Sequence, residues 1–324
     1  MEDREYNSIV THFDLDGVAS AAICDLIYEV DRISFAGPSN MDRLSYDEST
    51  IVTDLPNPFP KECGLWYDHH MANLDDLKGC GGDISTINAV VEHKPSCLRV
   101  IFDELSKDYE LDEWLPFVEE VDTIDGFLFK SYQEWLEVTP AKDIDHAIKN
   151  DYNDFNFMRK LVHELRDSDY IEVSKLPEVQ KRALEFRRRG ESQLPLIEKV
   201  SRKLDTNGDI ILLDLTSVKN PQNFEKNYVY NFFPEAKAAI TVRSIYRRGV
   251  KTNGLSFSIS LGFVEESIKE KIDVGSMMRE LEIGNGHPGA AAGRFDCKSK
   301  DERLKREDEV LTTIKEMWSN QLKG

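Results

Sequence analysis

Three short apolar segments in the first half of the chain run directly into aspartate or histidine. Asn7–Thr11, Thr50–Asp54 and Gly64–Tyr67 are each rich in β-branched or aromatic residues, and helix-like stretches such as Val18–Val30 lie between them. Strands that alternate with helices predict a parallel α/β sheet. Because the carboxyl ends of parallel strands form the usual ligand crevice, we expect these acidic and imidazole side chains to meet at one edge of the sheet.

The chain is long enough for two domains, since its 324 residues exceed the usual size of one. A charged segment with helical periodicity, Pro177–Leu204, separates the first half from further strand-like segments at Asp209–Leu213, Ala238–Ser244 and Leu255–Leu261. The second half therefore predicts a smaller α/β domain. The expected division is a first domain over residues 1–176, a helical linker over 177–205 and a second domain over 206–324.

Composition excludes several classes of function. The net charge of −19 argues against a long duplex or strand as the main ligand, because proteins that grip long nucleic acids present basic surfaces. No apolar stretch approaches the roughly 20 residues that cross a bilayer, so no membrane partner is expected and the predicted location is the cytoplasm. The five cysteines have no CxxC spacing, which favours reduced thiols over a disulfide framework or a structural zinc site.

The first acidic motif is His12-Phe13-Asp14-Leu15-Asp16-Gly17, at a predicted strand-to-helix junction. Carboxylates and imidazoles converging there suit Mn²⁺ or Mg²⁺ better than a soft metal. A calcium loop that starts at Asp14 fails, because its twelfth position is Asp25 and not glutamate. Two alternatives remain for this motif alone: a helix-capping turn, and the nucleophile motif of haloacid-dehalogenase-type phosphatases, in which Asp14 would be the nucleophile.

Two later motifs argue against the dehalogenase-type interpretation. Asp54 ends one predicted strand, and Asp68-His69-His70 ends another. A single strand-end aspartate is commonly a cap, but two adjacent histidines after an aspartate indicate metal binding or proton transfer, with a surface histidine pair as the alternative.

The order of these motifs resembles that of the DHH phosphoesterase superfamily with a C-terminal DHHA1-type domain. His12-Phe13-Asp14-Leu15-Asp16 matches the first motif, Asp54 the second and Asp68-His69-His70 the third. Asp122 or Asp125 matches the fourth, and Asp122 is favoured because it directly follows the apolar Val121. Gly284-Asn285-Gly286-His287-Pro288-Gly289-Ala290-Ala291 is similar to the glycine-rich histidine motif of the second domain.

The resemblance implies two α/β domains that flank a cleft and two Mn²⁺ ions per chain, with Mg²⁺ as the alternative metal. It implies His69 among the ligands of these ions, and Asp68 and His70 as catalytic residues that orient an imidazole and donate a proton. In the second domain it implies substrate contacts from the glycine-rich motif. Arg243, at a predicted strand end, is a further candidate for substrate binding. The implied ligand set is His12, Asp14, Asp16, Asp54, His69 and Asp122, and the implied substrate contacts are Gly284, Gly286 and His287. For Arg243, which is added because of its position, a solvated surface arginine is the alternative.

The resemblance also implies hydrolysis of a phosphodiester or phosphate bond, with exonuclease-like and exopolyphosphatase-related proteins among its members. Together with the acidic composition, it favours a short oligonucleotide or a small phosphorylated nucleotide as substrate. The alternatives are an exopolyphosphatase that acts on inorganic polyphosphate and a non-catalytic DHH scaffold. The sequence leaves a homodimer open.

Overall fold

The structure is a computed structural model that describes residues 6–219 and 225–323. The chain divides into two compact units. The first comprises Met1–Leu128 and Val138–Arg187, and the second comprises Phe129–Glu137 and Arg188–Gly324. A short stretch of the first half, Phe129–Glu137, thus belongs with the second unit.

Helices and strands alternate through the first third of the chain, and helices dominate the middle. The strands are β1 Ser8–Thr11, β2 Arg32–Phe35, β3 Thr50–Thr53, β4 Leu65–Asp68, β5 Ala89–Val91, β6 Ser201–Lys203, β7 Ile210–Asp214, β8 Ala238–Arg247, β9 Val250–Leu261, β10 Gly284–Gly286 and β11 Ala290–Phe295. The helices are α1 Leu15–Tyr28, α2 Met71–Gly79, α3 Cys97–Leu105, α4 Leu115–Asp125, α5 Tyr132–Leu136, α6 Pro140–Asn150, α7 Phe155–Asp167, α8 Tyr170–Ser174, α9 Pro177–Glu191, α10 Leu194–Val200, α11 Glu266–Lys269, α12 Val274–Glu280 and α13 Lys300–Lys323.

The first unit is built on a parallel sheet with the strand order β2-β1-β3-β4-β5. Its short strands carry continuous apolar runs, as expected for a sheet that is covered on both faces. The order reverses between β1 and β3, which are neighbours in the sheet, and ligands of such sheets bind where the order reverses. The expected α/β fold, with a parallel sheet in the first unit and a second sheet later in the chain, is confirmed.

Helix α1 fixes the first acidic motif against the end of β1. The Asp14 side chain caps the helix by accepting a hydrogen bond from the Gly17 backbone N–H at 3.0 Å. A Cβ atom at Gly17 would lie 2.3 Å from the carbonyl oxygen of His12, so only glycine permits this close approach. The helix itself is buried over most of its length, because apolar residues occupy almost every side of it.

The second unit is built on a mixed sheet with the strand order β10-β11-β9-β8-β7-β6. One face is apolar and packs against α12 and α13 through residues such as Phe257, Ile259, Met277 and Trp318. Because side chains alternate along a strand, the neighbouring positions on β8 and β9 point to the other face. That face carries Thr241, Arg243, Ser256, Ser258 and Ser260.

Two helices, α9 and α10, occupy the segment in which a helical linker is predicted. Helix α9 runs through the division between the two units at Arg187 and Arg188. Among the residues that the structure describes, no helix combines the length and the apolar character needed to cross a bilayer.

A candidate two-cation centre on the parallel sheet

The carboxyl ends of β1, β3 and β4 bring the three predicted motifs together. His12, Asp14 and Asp16 follow β1, Asp54 directly follows β3, and Asp68 ends β4 just before the two histidines. These strands are neighbours in the order β1-β3-β4, so their ends lie side by side. The predicted convergence of acids and imidazoles at one sheet edge is therefore what the structure contains.

Asp16 is held by the start of a neighbouring helix. Its side chain is buried, and its two carboxylate oxygens accept hydrogen bonds from the backbone N–H groups of Cys97 at 2.7 Å and Leu98 at 2.8 Å. These are the first residues of α3, where unpaired N–H groups and the helix dipole favour a negative charge. The carboxylate is thus fixed in position while it remains beside His69.

Asp54 lies at the centre of the cluster. Its Oδ2 is 3.6 Å from Nδ1 of His12, and its Oδ1 is 3.5 Å from Nε2 of His69 and 3.7 Å from Nδ1 of His70. The residue has a φ of 54°, in the left-handed region that aspartate and asparagine tolerate better than most residues. This turn directs the carboxylate from the end of β3 towards both neighbouring strands.

His69 presents a buried ring nitrogen to the acids. Its Nδ1 donates a hydrogen bond to the carbonyl oxygen of Lys94 at 3.1 Å, so in the neutral imidazole Nε2 is the nitrogen with a free lone pair. Nε2 is buried without a hydrogen-bond partner, and it lies 3.5 Å from Oδ2 of Asp125 as well as from Asp54. A histidine that donates from one nitrogen to a carbonyl while the other faces carboxylates has the usual arrangement of a metal ligand.

Asp68 is fully buried and organises the second histidine. Its Oδ1 accepts hydrogen bonds from the backbone N–H groups of His69 and His70, and from Nδ1 of the His70 ring at 2.9 Å. Its Oδ2 accepts from Nδ2 of Asn73 at 2.5 Å. Asp68 therefore fixes the ring of His70, whereas the carbonyl of Lys94 fixes the ring of His69.

Negative charge is concentrated in this cluster. Burial and the charges of Asp16 and Asp14 raise the pKa of Asp54 well above its ordinary value, and burial together with Asp14 raises the pKa of Asp16. The pKa of Asp14 is lowered to about 2 in spite of its burial, because His12 donates a hydrogen bond to it at 2.6 Å and pairs with its charge. Bound cations would relieve the repulsion among these carboxylates.

The donor set fits two hard divalent cations. Three groups of side chains each hold their ligand atoms within 4.8 Å of one another: His12 with Asp14 and Asp54, Asp54 with His69 and His70, and Asp16 with His69 and Asp125. Asp54 belongs to two groups, and His69 also belongs to two. Carboxylate oxygens with a few imidazoles suit Mn²⁺ or Mg²⁺. A cation bound there would also explain why the buried Nε2 of His69 has no hydrogen-bond partner.

The structure places Asp122, the acid favoured from the sequence, and Asp125 in different surroundings, and it favours Asp125 as the ligand. Asp122 accepts hydrogen bonds from Ser96 Oγ at 2.7 Å and Arg99 Nε at 2.8 Å, and it forms an ion pair with the same guanidinium. Ser96 caps α3, so Asp122 supports the helix start that holds Asp16. Asp125, one turn further along α4, is the acid beside His69.

A pocket of about 310 Å³ opens beside the cluster and contains residues that the sequence did not indicate. Asp145 and Lys149 on α6, together with Tyr152, line the pocket with Phe13 and the acids of the first motif. None of the three follows a strand, which is the pattern that identified the other residues. Their position depends on how α6 packs, and the sequence carries no local signal for that.

Arg243 in the second unit lies on the serine-bearing face of the sheet, beside a second cation. Lys226 donates a hydrogen bond from Nζ to Ser258 Oγ at 3.0 Å, and Ser258 pairs with Thr241, two residues before Arg243. Burial, followed by the charge of Arg243, lowers the pKa of Lys226 to about 8. Two partly buried cations side by side are suited to an anionic ligand. Sequence reasoning missed Lys226.

The glycine-rich segment forms the β10–β11 hairpin, with His287 exposed in its turn. The N–H of Gly286 donates to Oδ1 of Asn285 at 2.9 Å, and that of His287 donates to the carbonyl of Ala290 at 2.8 Å. These two backbone N–H groups, in the segment expected to contact the substrate, are therefore used inside the hairpin. Gly284 serves close packing, because a Cβ there would lie 1.9 Å from the carbonyl oxygen of Ala292.

The chain has the fold of DHH proteins. This class is indicated by the parallel sheet of the first unit, the acids at its strand ends and the mixed sheet that follows. The resemblance seen in the sequence is therefore confirmed at the level of the fold. Among solved structures it is similar to the pGpG-specific phosphodiesterase PggH from Vibrio cholerae, with a TM-score of 0.70 and 21% sequence identity over 95% of this chain and 99% of that chain.

Two further solved structures share the fold. The DHH domain of a member of the S1p family of ribosomal proteins has a TM-score of 0.57 and 15% identity over 95% of this chain and 87% of that chain. RecJ from Thermus thermophilus, in complex with Mn²⁺, has a TM-score of 0.54 and 13% identity over 96% of this chain and 52% of that chain. No protein-family model matches the sequence, and no curated protein matches it significantly.

Proposed function

We propose that the chain is a divalent-cation-dependent phosphoesterase that hydrolyses short oligonucleotides or small phosphorylated nucleotides. The observation that carries this proposal is the position of Asp54 between two groups of acids and imidazoles, with the unpaired Nε2 of His69 facing the same carboxylates. A side chain that only caps the start of a helix needs one acceptor atom. Helix capping therefore does not account for so many acids and imidazoles in one place.

In this proposal His12, Asp14 and Asp54 hold one cation, and Asp16, Asp54, His69 and Asp125 hold the other. When bound, the two cations would supply positive charge that polarises the phosphoryl group and makes a nearby water more acidic. Asp122 takes no part in binding and keeps α3 in place through Ser96 and Arg99.

His70 is the proposed proton donor. Asp68 holds its Nδ1 at 2.9 Å and so fixes both the tautomer and the orientation of the ring. Burial lowers the pKa of His70, but the hydrogen bond to Asp68 and the charge of that carboxylate more than offset this effect and raise the pKa above its usual value. A protonated His70 can donate from Nε2 to a phosphoryl oxygen or to the leaving group.

Substrate binding away from the cations is proposed for Arg243, Lys226 and His287 of the second unit. The two cationic side chains would pair with a second phosphate or a terminal phosphate of the substrate. Lys226 is already hydrogen-bonded to Ser258, and serine hydroxyls on the same face add further donors.

We favour short nucleotides as the substrate because positive charge is supplied locally at the site, whereas the whole protein has a net charge of −19. A long nucleic acid would need an extended basic surface. The similarity in fold to a pGpG-specific phosphodiesterase supports the same choice. A dinucleotide is also the smallest substrate that offers a scissile phosphodiester together with a separate phosphate group.

A hydrolysis panel with Mn²⁺ tests the proposal. It compares a labelled 5′-phosphorylated dinucleotide, a longer single-stranded RNA, 3′-phosphoadenosine 5′-phosphate, pyrophosphate and polyphosphate, each with the wild-type chain and with Asp54→Asn. Asparagine tolerates the backbone conformation of this position, so the variant removes a charge without straining the turn. A matched control is Asp47→Asn, which changes an exposed turn aspartate on the same unit.

The proposal predicts turnover of the dinucleotide that Asp54→Asn abolishes and Asp47→Asn leaves intact. Turnover of polyphosphate alone would move the assignment to an exopolyphosphatase. Absence of turnover on every substrate, or turnover that Asp54→Asn leaves intact, would contradict the two-cation mechanism.

A further inference from the structure

Lys149 occupies an unusual place in the pocket beside the carboxylate cluster. The pocket is lined by His12 and by the acids Asp14, Asp16, Asp125 and Asp145. Among its lining residues in the described part of the chain, Lys149 is the one lysine or arginine. A single ammonium group in an otherwise acidic pocket that is proposed to receive a phosphate calls for a specific explanation.

The ammonium group is held by a buried carboxylate. Its Nζ lies 2.8 Å from Oδ2 of Asp145, one turn earlier on α6, and the Asp145 side chain is only 5% exposed whereas that of Lys149 is 23% exposed. Exposed i,i+4 pairs move freely and contribute little, but a pair whose acid is buried places its ammonium group within a narrow region. Lys149 is therefore positioned at the pocket wall with part of its surface open.

The ammonium group shares this pocket with acids from both proposed cation positions. Asp14 belongs to the group with His12 and Asp54, Asp125 belongs to the group with Asp16 and His69, and both acids line the pocket together with Lys149. A phosphate held by cations at these positions would therefore lie in the pocket that Lys149 lines.

We propose that Lys149, braced by Asp145, is a further phosphate-contacting residue of this site and donates a hydrogen bond to a non-bridging oxygen of the phosphoryl group. This inference rests on the proposed function, because it assigns a partner of the same substrate. Cations held by the strand-end acids would supply positive charge to the phosphoryl group, and the ammonium group of Lys149, with its N–H donors in the same pocket, would contact a further oxygen.

A binding experiment tests the proposal without requiring turnover. Calorimetry measures the affinity for adenosine 5′-monophosphate in the presence of Mn²⁺, with adenosine as the matched ligand that lacks a phosphate. Lys149→Met is expected to weaken binding of the monophosphate about tenfold without any loss of Mn²⁺ affinity, and Lys149→Arg is expected to restore most of the loss. In the hydrolysis panel Lys149→Met should also lower kcat.

Two further variants keep the test decisive. Lys305→Met removes an exposed i,i+4 pair with Glu309 on α13 and should change nothing. The double variant Asp145→Asn/Lys149→Met removes both charges, so it avoids a buried unpaired acid and should reproduce the tenfold loss of the single variant.

The proposal is overturned if Lys149→Met binds the monophosphate as tightly as wild type, if it loses Mn²⁺ affinity to the same extent, or if the wild-type chain binds no monophosphate. Failure of the proposed function has a different signature, namely no Asp54-dependent hydrolysis. Phosphate binding that depends on Lys149 could persist in that case.

Discussion

The two units of this chain bear opposite kinds of charge at their candidate ligand-binding faces. The parallel sheet of the first unit ends in buried or partly buried carboxylates around Asp54, where burial and repulsion raise the pKa of that acid. The mixed sheet of the second unit instead carries Lys226 and Arg243, where burial and like charge lower the pKa of the lysine. Each face therefore concentrates charge of one sign, and the two signs are opposite.

Under the proposed function, this difference assigns a separate task to each unit in binding the substrate. An acidic cluster cannot attract a phosphate until cations neutralise it, so the first unit would depend on ions from solution. The second unit carries its own cationic side chains, Lys226 and Arg243, which would attract phosphate groups directly and require no metal. Variants on the two faces should therefore separate metal-dependent chemistry from metal-independent binding.

The largest effect is expected for Asp54→Asn. Because Asp54 is shared by two candidate cation positions, its loss should reduce kcat at least about a thousandfold and reduce the number of Mn²⁺ ions bound. Turnover assays and calorimetric titration with Mn²⁺ measure the two quantities. If Asp54→Asn keeps both its kcat and its number of bound Mn²⁺ ions, the acidic face does not depend on cations, and the contrast between the two units is wrong.

The second effect compares two acids on one helix. Asp125→Asn should weaken Mn²⁺ binding by about 10–100-fold, because Asp125 lies beside Nε2 of His69. Asp122→Asn should leave Mn²⁺ stoichiometry unchanged and lower the free energy of unfolding by about 1–3 kcal/mol, because it leaves Arg99 and Ser96 without their carboxylate. The reverse pattern in titration and thermal denaturation would restore Asp122 as the ligand.

A smaller effect is expected on the cationic face. Lys226→Met should raise the KM for a 5′-phosphorylated dinucleotide about tenfold and leave Mn²⁺ affinity unchanged. Lys237→Met is the matched control in the same unit, because Lys237 pairs with Asp209 and its charge is already compensated. An unchanged KM in Lys226→Met would remove the second unit's cations from substrate binding.

The smallest effect is a pH dependence of KM. The pKa of Lys226 is lowered to about 8, so its positive charge is present below pH 8 and is lost as the pH rises through that value. Affinity for a phosphate should fall in the same window, and KM should rise between about pH 8 and 9.5. Lys226→Arg should remove this rise, because arginine stays charged there. A KM that rises equally in both proteins would assign the pH dependence to another group.

The sequence was sufficient for the fold class and for most of the acidic cluster. Strands that end on Asp or His mark their own positions, and parallel strands bring their ends to one edge whatever the details of packing. For this reason Asp14, Asp16, Asp54 and His69 come together as expected.

The positions that the sequence could not assign depend on packing between distant residues. Asp122 and Asp125 are three residues apart on α4 and lie on nearly the same side of a helix, so periodicity does not distinguish them. Ser96 and Arg99, more than twenty residues earlier, donate hydrogen bonds to Asp122, and this contact favours Asp125 as the ligand. Lys149 and Lys226 were missed for a related reason, since their surroundings come from other segments of the chain.

The most direct test of the central claim is a crystal structure of the chain soaked in Mn²⁺, with anomalous differences used to locate the ions. The account predicts two peaks about 3.5–4 Å apart, both within ligand distance of Asp54, one near His12 and the other near His69 and Asp125. No peak at these strand ends, or a peak on Asp122 with none beside Asp54, would contradict it.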